Sequence, residues 1–477
     1  MKSSFKKLMS FLLVTVLMIG CLAIAPVASA ASYNIAFSTE SKTVNKGDSF
    51  TINVNIDSNP GITMLRLYVE YDPSILTLTG AKDNGIMGDY TFDNTYASPF
   101  CMVWANGTSN NITATGAVAT LTFTASGDIT TQTVATEIKV YTESKNDILN
   151  YDLDTINPTF TNGTVTVYPE GVPTTLAIKR RALTLYNDLT INFGMLKTVM
   201  TESGYTDPYI EFNFNGEDTV CETYYGNGNY YMFDFNNIAP DMMNETITAT
   251  LCATYNGKLV KAIPMEYSIA TYCYNMLDRY VSDSNYAEFC TLLVDLLNYG
   301  AAAQNYTDRN LDSLANKDLT VVHRLFATAE CPATTSVTNK DYATITNPMY
   351  DWNQVGLHLT DSVLVRLRFK SLDANVTSAS GLTVKFNCVN GTYSVKSFEK
   401  TDNGWYVYFD GLNAGQMKED VFATVYSGDT AVSDTIRYSI ESYVHSHKAD
   451  GDELGTLVQE MYKYGCAAKA YADKFGL

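Results

Sequence analysis

The stretch Asn59-Pro60-Gly61-Ile62, then Leu65, Leu67, Val69 and Tyr71 at every second position, then Asp72-Pro73-Ser74 with Leu76 and Leu78, decides the reading of the first third of the chain. Apolar side chains spaced two apart put one face of an extended chain into a core and leave Met64, Arg66, Tyr68 and Glu70 facing out. The Asp-Pro-Ser that follows must turn, because Pro73 fixes its own φ, lacks an amide donor and pushes Asp72 into an extended conformation. The spacing predicts a half-buried strand, a proline turn and a second strand from Ile75.

The same alternation recurs from about Tyr33 to Pro169. Phe50, Ile52, Val54 and Ile56 precede the opening strand; Ala119, Leu121 and Phe123, then Ile138 and Val140, then Val165 and Val167 follow it. Short alternating strands punctuated by Gly, Asn, Asp and Pro predict an all-β sandwich over residues 31–169.

A chain of 477 residues is too long for one ordinary core, so several domains are expected. Residues 1–30 read as a secretory signal peptide: Lys2, Lys6 and Lys7 precede an apolar run from Phe11 to Ala25, and Ala28-Ser29-Ala30 offers a small-x-small cleavage site before Ala31. Met18-Ile19-Gly20-Cys21 offers an alternative, a lipobox with Cys21 lipidated, against which Leu22-Ala23-Ile24-Ala25 continues the apolar run where a lipoprotein turns polar. No later stretch is long and apolar enough to span a membrane. The expected location is extracellular, secreted or held at a cell surface.

Net charge is −19, falling to −22 once the three leader lysines are removed. Such a surface repels nucleic acid and anionic lipid, so neither is expected as a partner, and solubility is a sufficient reason for the acidity. Cys101, Cys221, Cys252, Cys273, Cys290, Cys331, Cys388 and Cys466 are spread singly, without the short spacing of a zinc site, and are expected as free thiols; disulfides are the alternative, and the sequence assigns no pairing.

Taken together, Gly47-Asp48, Asn59-Pro60-Gly61-Ile62, Tyr71-Asp72-Pro73-Ser74-Ile75-Leu76, Gly116-Ala117-Val118-Ala119-Thr120-Leu121-Thr122-Phe123 and Asn162-Gly163-Thr164-Val165-Thr166-Val167 resemble the order and spacing of a cohesin module. The resemblance implies a nine-stranded jelly-roll sandwich of a secreted cellulosomal scaffolding protein, one that captures dockerin-bearing partners. Calcium is then expected on the dockerin, with no cofactor intrinsic to this chain. In the family the dockerin lies across one flat sheet face that includes the opening strand. Carried over, the contact candidates are Arg66, Tyr68 and Glu70, with Thr120 and Thr122 on the later strand. Each taken singly is more simply explained as a solvated position of a sandwich; Tyr68, an outward aromatic flanked by two charges, best suits an interface. Trp104 is a candidate sugar-stacking platform, although its apolar neighbours Phe100 to Val103 favour packing.

Beyond Pro169 to Pro173 one unit occurs twice, over residues 170–320 and 321–477. Asn298-Tyr299-Gly300-Ala301-Ala302-Ala303 recurs as Lys463-Tyr464-Gly465-Cys466-Ala467-Ala468, Tyr267-Ser268-Ile269 as Tyr438-Ser439-Ile440, and Phe212-Asn213 as Phe386-Asn387. Each unit alternates in its front half and turns helical behind: Phe289, Leu292, Leu293, Leu296, Leu297, Gly300 and Ala303 follow helical spacing, as do Leu454, Leu457, Val458, Met461, Tyr462, Gly465 and Ala468. With the preceding helix around Ile269, Cys273 and Leu277, this predicts two homologous α+β units, each a β-sandwich-like half plus a helical hairpin. Glycine inside both stripes suggests close backbone approach. The Tyr-Gly-x-Ala-Ala helix resembles modules of unassigned function in surface proteins of anaerobic Firmicutes.

The residues offer no catalytic constellation. His445-x-His447 points its rings to different sides of a helix, His323 and His358 stand singly, and no G-x-S-x-G, Walker or H-E-x-x-H motif occurs. Asp450-Gly451-Asp452-Glu453 lacks the spacing of a calcium loop. The leading expectation is a non-catalytic scaffolding or adhesion protein that binds dockerin-bearing partners in plant polysaccharide degradation or cell-surface assembly. The alternative is carbohydrate binding by the tyrosine-rich duplicated units.

Overall fold

The computed structural model of the chain describes residues 33–154, 156–185, 189–236, 238–334, 338–359 and 363–476. The expected leader, its lipobox alternative at Cys21 and the start at Ala31 lie outside the described residues. The chain divides into two compact units, Met1–Thr174 and Thr175–Leu477. The expected boundary between residues 320 and 321 therefore falls inside the second compact unit.

In the first unit, one sheet has the order β11 (Ile156–Thr161), β1 (Tyr33–Thr39), β3 (Ser49–Ser58), β8 (Gly116–Ala125), β5 (Leu76–Asp83). The other has the order β2 (Lys42–Asn45), β12 (Gly163–Tyr168), β9 (Val134–Tyr141), β4 (Met64–Glu70), β7 (Phe100–Ala105), β6 (Asp89–Phe92), with the two-residue β10 (Ile148–Leu149) on β4. The runs β1 to β2 and β11 to β12 each change sheet midway. Thr39 pins that crossing: its buried hydroxyl donates to the Ile138 carbonyl and accepts from the Gly163 amide, both at 2.7 Å.

The opening stretch forms β4, with Leu65, Leu67 and Val69 fully buried against the facing sheet. Each such side chain contributes about 1.5–3 kcal/mol by burial. A one-residue slip would drive Arg66 and Tyr68 into the core, so the register is strongly specified. The proline turn forms as an Asx turn: the Asp72 carboxylate accepts from the Ser74 amide at 2.8 Å, and the Asp72 carbonyl accepts from Ile75 and Leu76. It hands the chain from β4 to β5 in the other sheet, a corner and not a hairpin.

The second unit contains two halves with matching strand order. In the first, β13 (Ile178–Thr184), β14 (Thr190–Leu196), β18 (Tyr230–Phe235) and β17 (Tyr225–Asn227) form one sheet. The other is β16 (Glu217–Cys221), β15 (Thr206–Phe214), β19 (Ile247–Tyr255) and β20 (Lys258–Lys261), with β21 (Met265–Tyr267) on β19. In the second half, β23 (Tyr350–Leu359), β24 (Val363–Ser371), β28 (Gly404–Phe409) and β27 (Glu399–Thr401) correspond to the first sheet. The strands β26 (Gly391–Val395), β25 (Leu382–Cys388) and β29 (Val421–Ser427), with β30 (Thr430–Ala431) and β31 (Thr435–Tyr438), correspond to the second, and β22 (Asn339–Ala343) is added outside β31. The register agrees too. Ile191 faces Phe235 as Val365 faces Phe409, and Phe212 faces Ala249 as Phe386 faces Ala423, each 174 residues later.

Behind each β half lies a helix pair, α1 (Ile269–Tyr280) with α2 (Ala287–Thr307) and α3 (Ile440–His447) with α4 (Glu453–Phe475). Ser268 and Ser439 cap α1 and α3 by accepting from the Thr271 and Ser442 amides. The apolar stripes pack α2 against α4: Tyr299 stacks on Tyr464 with centroids 5.9 Å apart, and Phe289 meets Tyr471 at 5.4 Å. A Cβ on Gly300 would lie 2.7 Å from Met243 Sδ; one on Gly465 would lie 2.6 Å from Met417 Sδ and 2.7 Å from the Ala414 carbonyl oxygen. Among the described residues no helix is long and apolar enough to cross a membrane.

Candidate docking face

The outer face of the sheet that contains β4 is built on that strand, with β7 on one side and β9 on the other. Alternation turns Arg66, Tyr68 and Glu70 outward, and the register sets their neighbours: Arg66 lies opposite Val103, Tyr68 between Cys101 and Tyr141, and Glu70 opposite Lys139. Tyr68 stacks on Tyr141 with ring centroids 5.6 Å apart and planes at 24°. Lys139 Nζ lies 3.2 Å from Glu70 Oε2 and 5.1 Å from the Tyr141 centroid. The result is two parallel phenol rings beside one opposed charge pair. Because that pair is about half exposed, it contributes little to stability, ~0–1 kcal/mol, and its charges remain accessible to a partner.

Arg66 is anchored differently. Its guanidinium lies 3.4 Å from the buried carboxylate of Asp147, whose other oxygen accepts from the Glu143 and Ser144 amides at 2.9 Å each. One carboxylate thus fixes both the loop after β9 and the arginine beside it. Desolvation pushes the Tyr68 hydroxyl above its ordinary pKa, with Cys101 and Glu143 adding to the shift. Desolvation likewise raises the Cys101 thiol, opposed by a hydrogen bond with Tyr68 and the nearby Arg66 charge. At neutral pH both groups are therefore protonated, which leaves an aromatic, weakly polar centre flanked by charges of both signs.

Thr120 and Thr122 do not join this face. They lie on β8 in the opposite sheet, so one flat partner cannot reach them together with Arg66, Tyr68 and Glu70. The Thr120 hydroxyl also donates to Asn53 Oδ1 at 2.9 Å and accepts from Asn84 Nδ2 at 3.0 Å, ties internal to its own sheet. Trp104 is no sugar platform: it is fully buried, its indole N–H donates to Asp83 Oδ1 at 2.7 Å, and its ring packs edge-on against Phe92. Sequence reasoning missed Tyr141, Lys139 and Cys101. The signal was present for the first two, because burial of Ile138 and Val140 on β9 turns Lys139 and Tyr141 outward.

Residues 35–167 match the family model of the cohesin domain, a span under a third of the chain. Among solved structures, the chain is similar to a type I cohesin-dockerin complex from Clostridium thermocellum, at 18% identity over 30% of this chain and 98% of that one, with a TM-score of 0.26. It is also similar to the sixth cohesin of scaffoldin B from Acetivibrio cellulolyticus in complex with the Cel5 dockerin, at 18% identity over 28% and 97% with a TM-score of 0.25. A non-cellulosomal cohesin from the hyperthermophilic archaeon Archaeoglobus fulgidus gives 14% identity over 28% and 91%, with a TM-score of 0.24. No curated protein matches.

Proposed function

We propose that the chain is a secreted, non-catalytic scaffolding protein whose first unit captures a calcium-loaded dockerin on the β9-β4-β7-β6 face. The cohesin-domain match over residues 35–167 carries the reading. The face supports it: an aromatic pair, Tyr68 on Tyr141, sits at the centre, and accessible charges, Arg66, Glu70 and Lys139, surround it. That arrangement suits a protein interface, where aromatic and arginine anchors dominate affinity.

In this reading residues 175–477 are a duplicated module that spaces the captured partner or attaches it elsewhere. The common 174-residue register shift and the paired glycines favour a duplication. Extracellular export, a setting of polysaccharide degradation and the absence of catalysis in the second unit belong to the same proposal. The test is a titration of the full chain with a panel of calcium-loaded dockerins from the same proteome, repeated with a chelator. Binding that is lost on chelation is expected, because the dockerin and not this chain holds the calcium. Silence across the panel would sink the reading.

A further inference from the structure

The first half of the second unit carries an open cleft of ≈ 920 Å³ at the sandwich edge where β16 and β17 diverge into opposite sheets. Register sets Glu217, Thr219 and Cys221 of β16 on the same side as Phe214, Phe212 and Ile210 of β15, the side that faces the sandwich interior. Such a side is ordinarily apolar and covered. Here Glu217 and Thr219 are exposed, above a floor of Phe214 and Phe235 whose centroids are 5.4 Å apart. Tyr224, on the crossover to β17, forms a wall against Phe233 at 5.3 Å, and the exposed Glu222 stands at the rim.

The second half shows what this slot accommodates. At the position of Thr219, 174 residues later, it has Tyr393, facing Phe386 as Thr219 faces Phe212. The Tyr393 ring packs edge-on against Phe409, the counterpart of Phe235, at 5.4 Å. A six-membered ring therefore fits at this register; in the first half Phe214, whose counterpart is Cys388, makes the equivalent edge-on contact with Phe235, and Thr219 leaves the space beside it open as part of the cleft.

We infer that this cleft binds a neutral glycan, one pyranose ring resting over Phe235 and Tyr224 while its hydroxyls donate to Glu217 and Glu222. The volume lies within the ~300–1,000 Å³ of small-ligand sites, too large for a lone ammonium group. Rim carboxylates on a chain of net charge −19 disfavour anionic ligands. The assignment concerns residues outside the docking face and stands whether or not a dockerin binds there.

The test is calorimetric titration of the full chain with cellohexaose, xylohexaose and mannohexaose, for wild type and Thr219→Tyr. That substitution supplies the ring the second half already carries at this register, and an unchanged melting profile checks that the fold persists. The expected result is binding of at least one hexaose, unaffected by about 0.5 M salt because a neutral ligand is not screened, and weakened at least tenfold by Thr219→Tyr. Tyr224→Ala on the exposed wall should weaken it similarly and decides the matter if Thr219→Tyr misfolds. The inference is overturned if no hexaose binds wild type, if the deciding variant binds equally well, or if only a cationic probe such as choline binds and salt abolishes it. Dockerin titrations on the same variants keep the two sites distinguishable.

Discussion

Tyr68 is the residue on which the proposed docking face turns, because among the outward residues of β4 it alone lies against both neighbouring strands through half-buried groups, Tyr141 on one side and Cys101 on the other. Tyr68→Ala removes the ring on which a partner would pack and should weaken dockerin binding at least tenfold. Thr120→Ala and Thr122→Ala, on the opposite sheet, should leave it within twofold. Surface plasmon resonance against one immobilised dockerin separates these outcomes; a threonine effect as large as the tyrosine effect would move the site to the β8 face. The contrast also shows what the sequence could carry. Alternation reports which side of a strand is buried, so Leu65, Leu67 and Val69 and their outward partners were legible. It does not report which sheet a strand joins, because that depends on pairing across long sequence separations, and Thr120 and Thr122 were misplaced for that reason. The case of Trp104 is different: its run Phe100 to Val103 is apolar at every position, so composition favoured packing, but only the structure shows which alternate side chains, Phe100, Met102 and Trp104, face the core.

The helices add a second kind of information. The glycines in their stripes implied a close neighbour, but only the fold identifies it as the single turns Pro240–Met242 and Ala414–Gln416. The two sites differ in what could yield. At Gly300 the nearest atom is the end of a flexible methionine, followed by the Ala315 Cβ at 3.0 Å and the Pro240 carbonyl at 3.2 Å; at Gly465 the Ala414 carbonyl lies closer, at 2.7 Å, and cannot swing aside. Alanine gains ~1 kcal/mol of helix propensity at either position, while overpacking costs ~1–3 kcal/mol. Gly465→Ala should therefore destabilise the second unit, and by more than Gly300→Ala, as measured by chemical denaturation; equal effects would mean that the carbonyl contact is relieved. A buried acid gives α2 a pH dependence as well. Asp295 is fully buried, accepts from the Thr328 amide at 3.0 Å and hydroxyl at 2.6 Å, and is held above the ordinary carboxylate pKa by desolvation, against the lowering effect of those hydrogen bonds. A raised folded-state pKa means that the folded chain holds the proton more tightly than the unfolded chain. The stability it contributes is full below the unfolded value near 3.8 and is lost as pH rises through the higher folded value. Asp295→Asn stays neutral while still accepting from the Thr328 amide, so its stability relative to wild type should increase over that interval. Urea denaturation from about pH 3 to about pH 7 checks this, and parallel profiles would contradict it.

At the scale of the whole molecule, the two compact units have separate cores, and the second is one body because equivalent helices of its two halves meet at equivalent residues. Tyr299 and Tyr464 occupy the same place in the two helical motifs and stack on each other, as in a two-fold dimer interface fused into one chain. Tyr464 is also tied by its hydroxyl to the Leu185 carbonyl at 2.8 Å, so one side chain connects the second half's long helix to the first half's β region. Truncating a buried ring of this size costs ~3–5 kcal/mol, whereas Tyr464→Phe loses only the hydrogen bond, ~1 kcal/mol. Calorimetry of the full chain should then show Tyr464→Ala lowering one unfolding transition strongly and Tyr464→Phe lowering it slightly. The transition of the first unit and its dockerin affinity should stay unchanged in both variants. If both transitions shift together, the units unfold as one cooperative body, and the proposed division of labour between a capturing first unit and an independent second unit has to be abandoned.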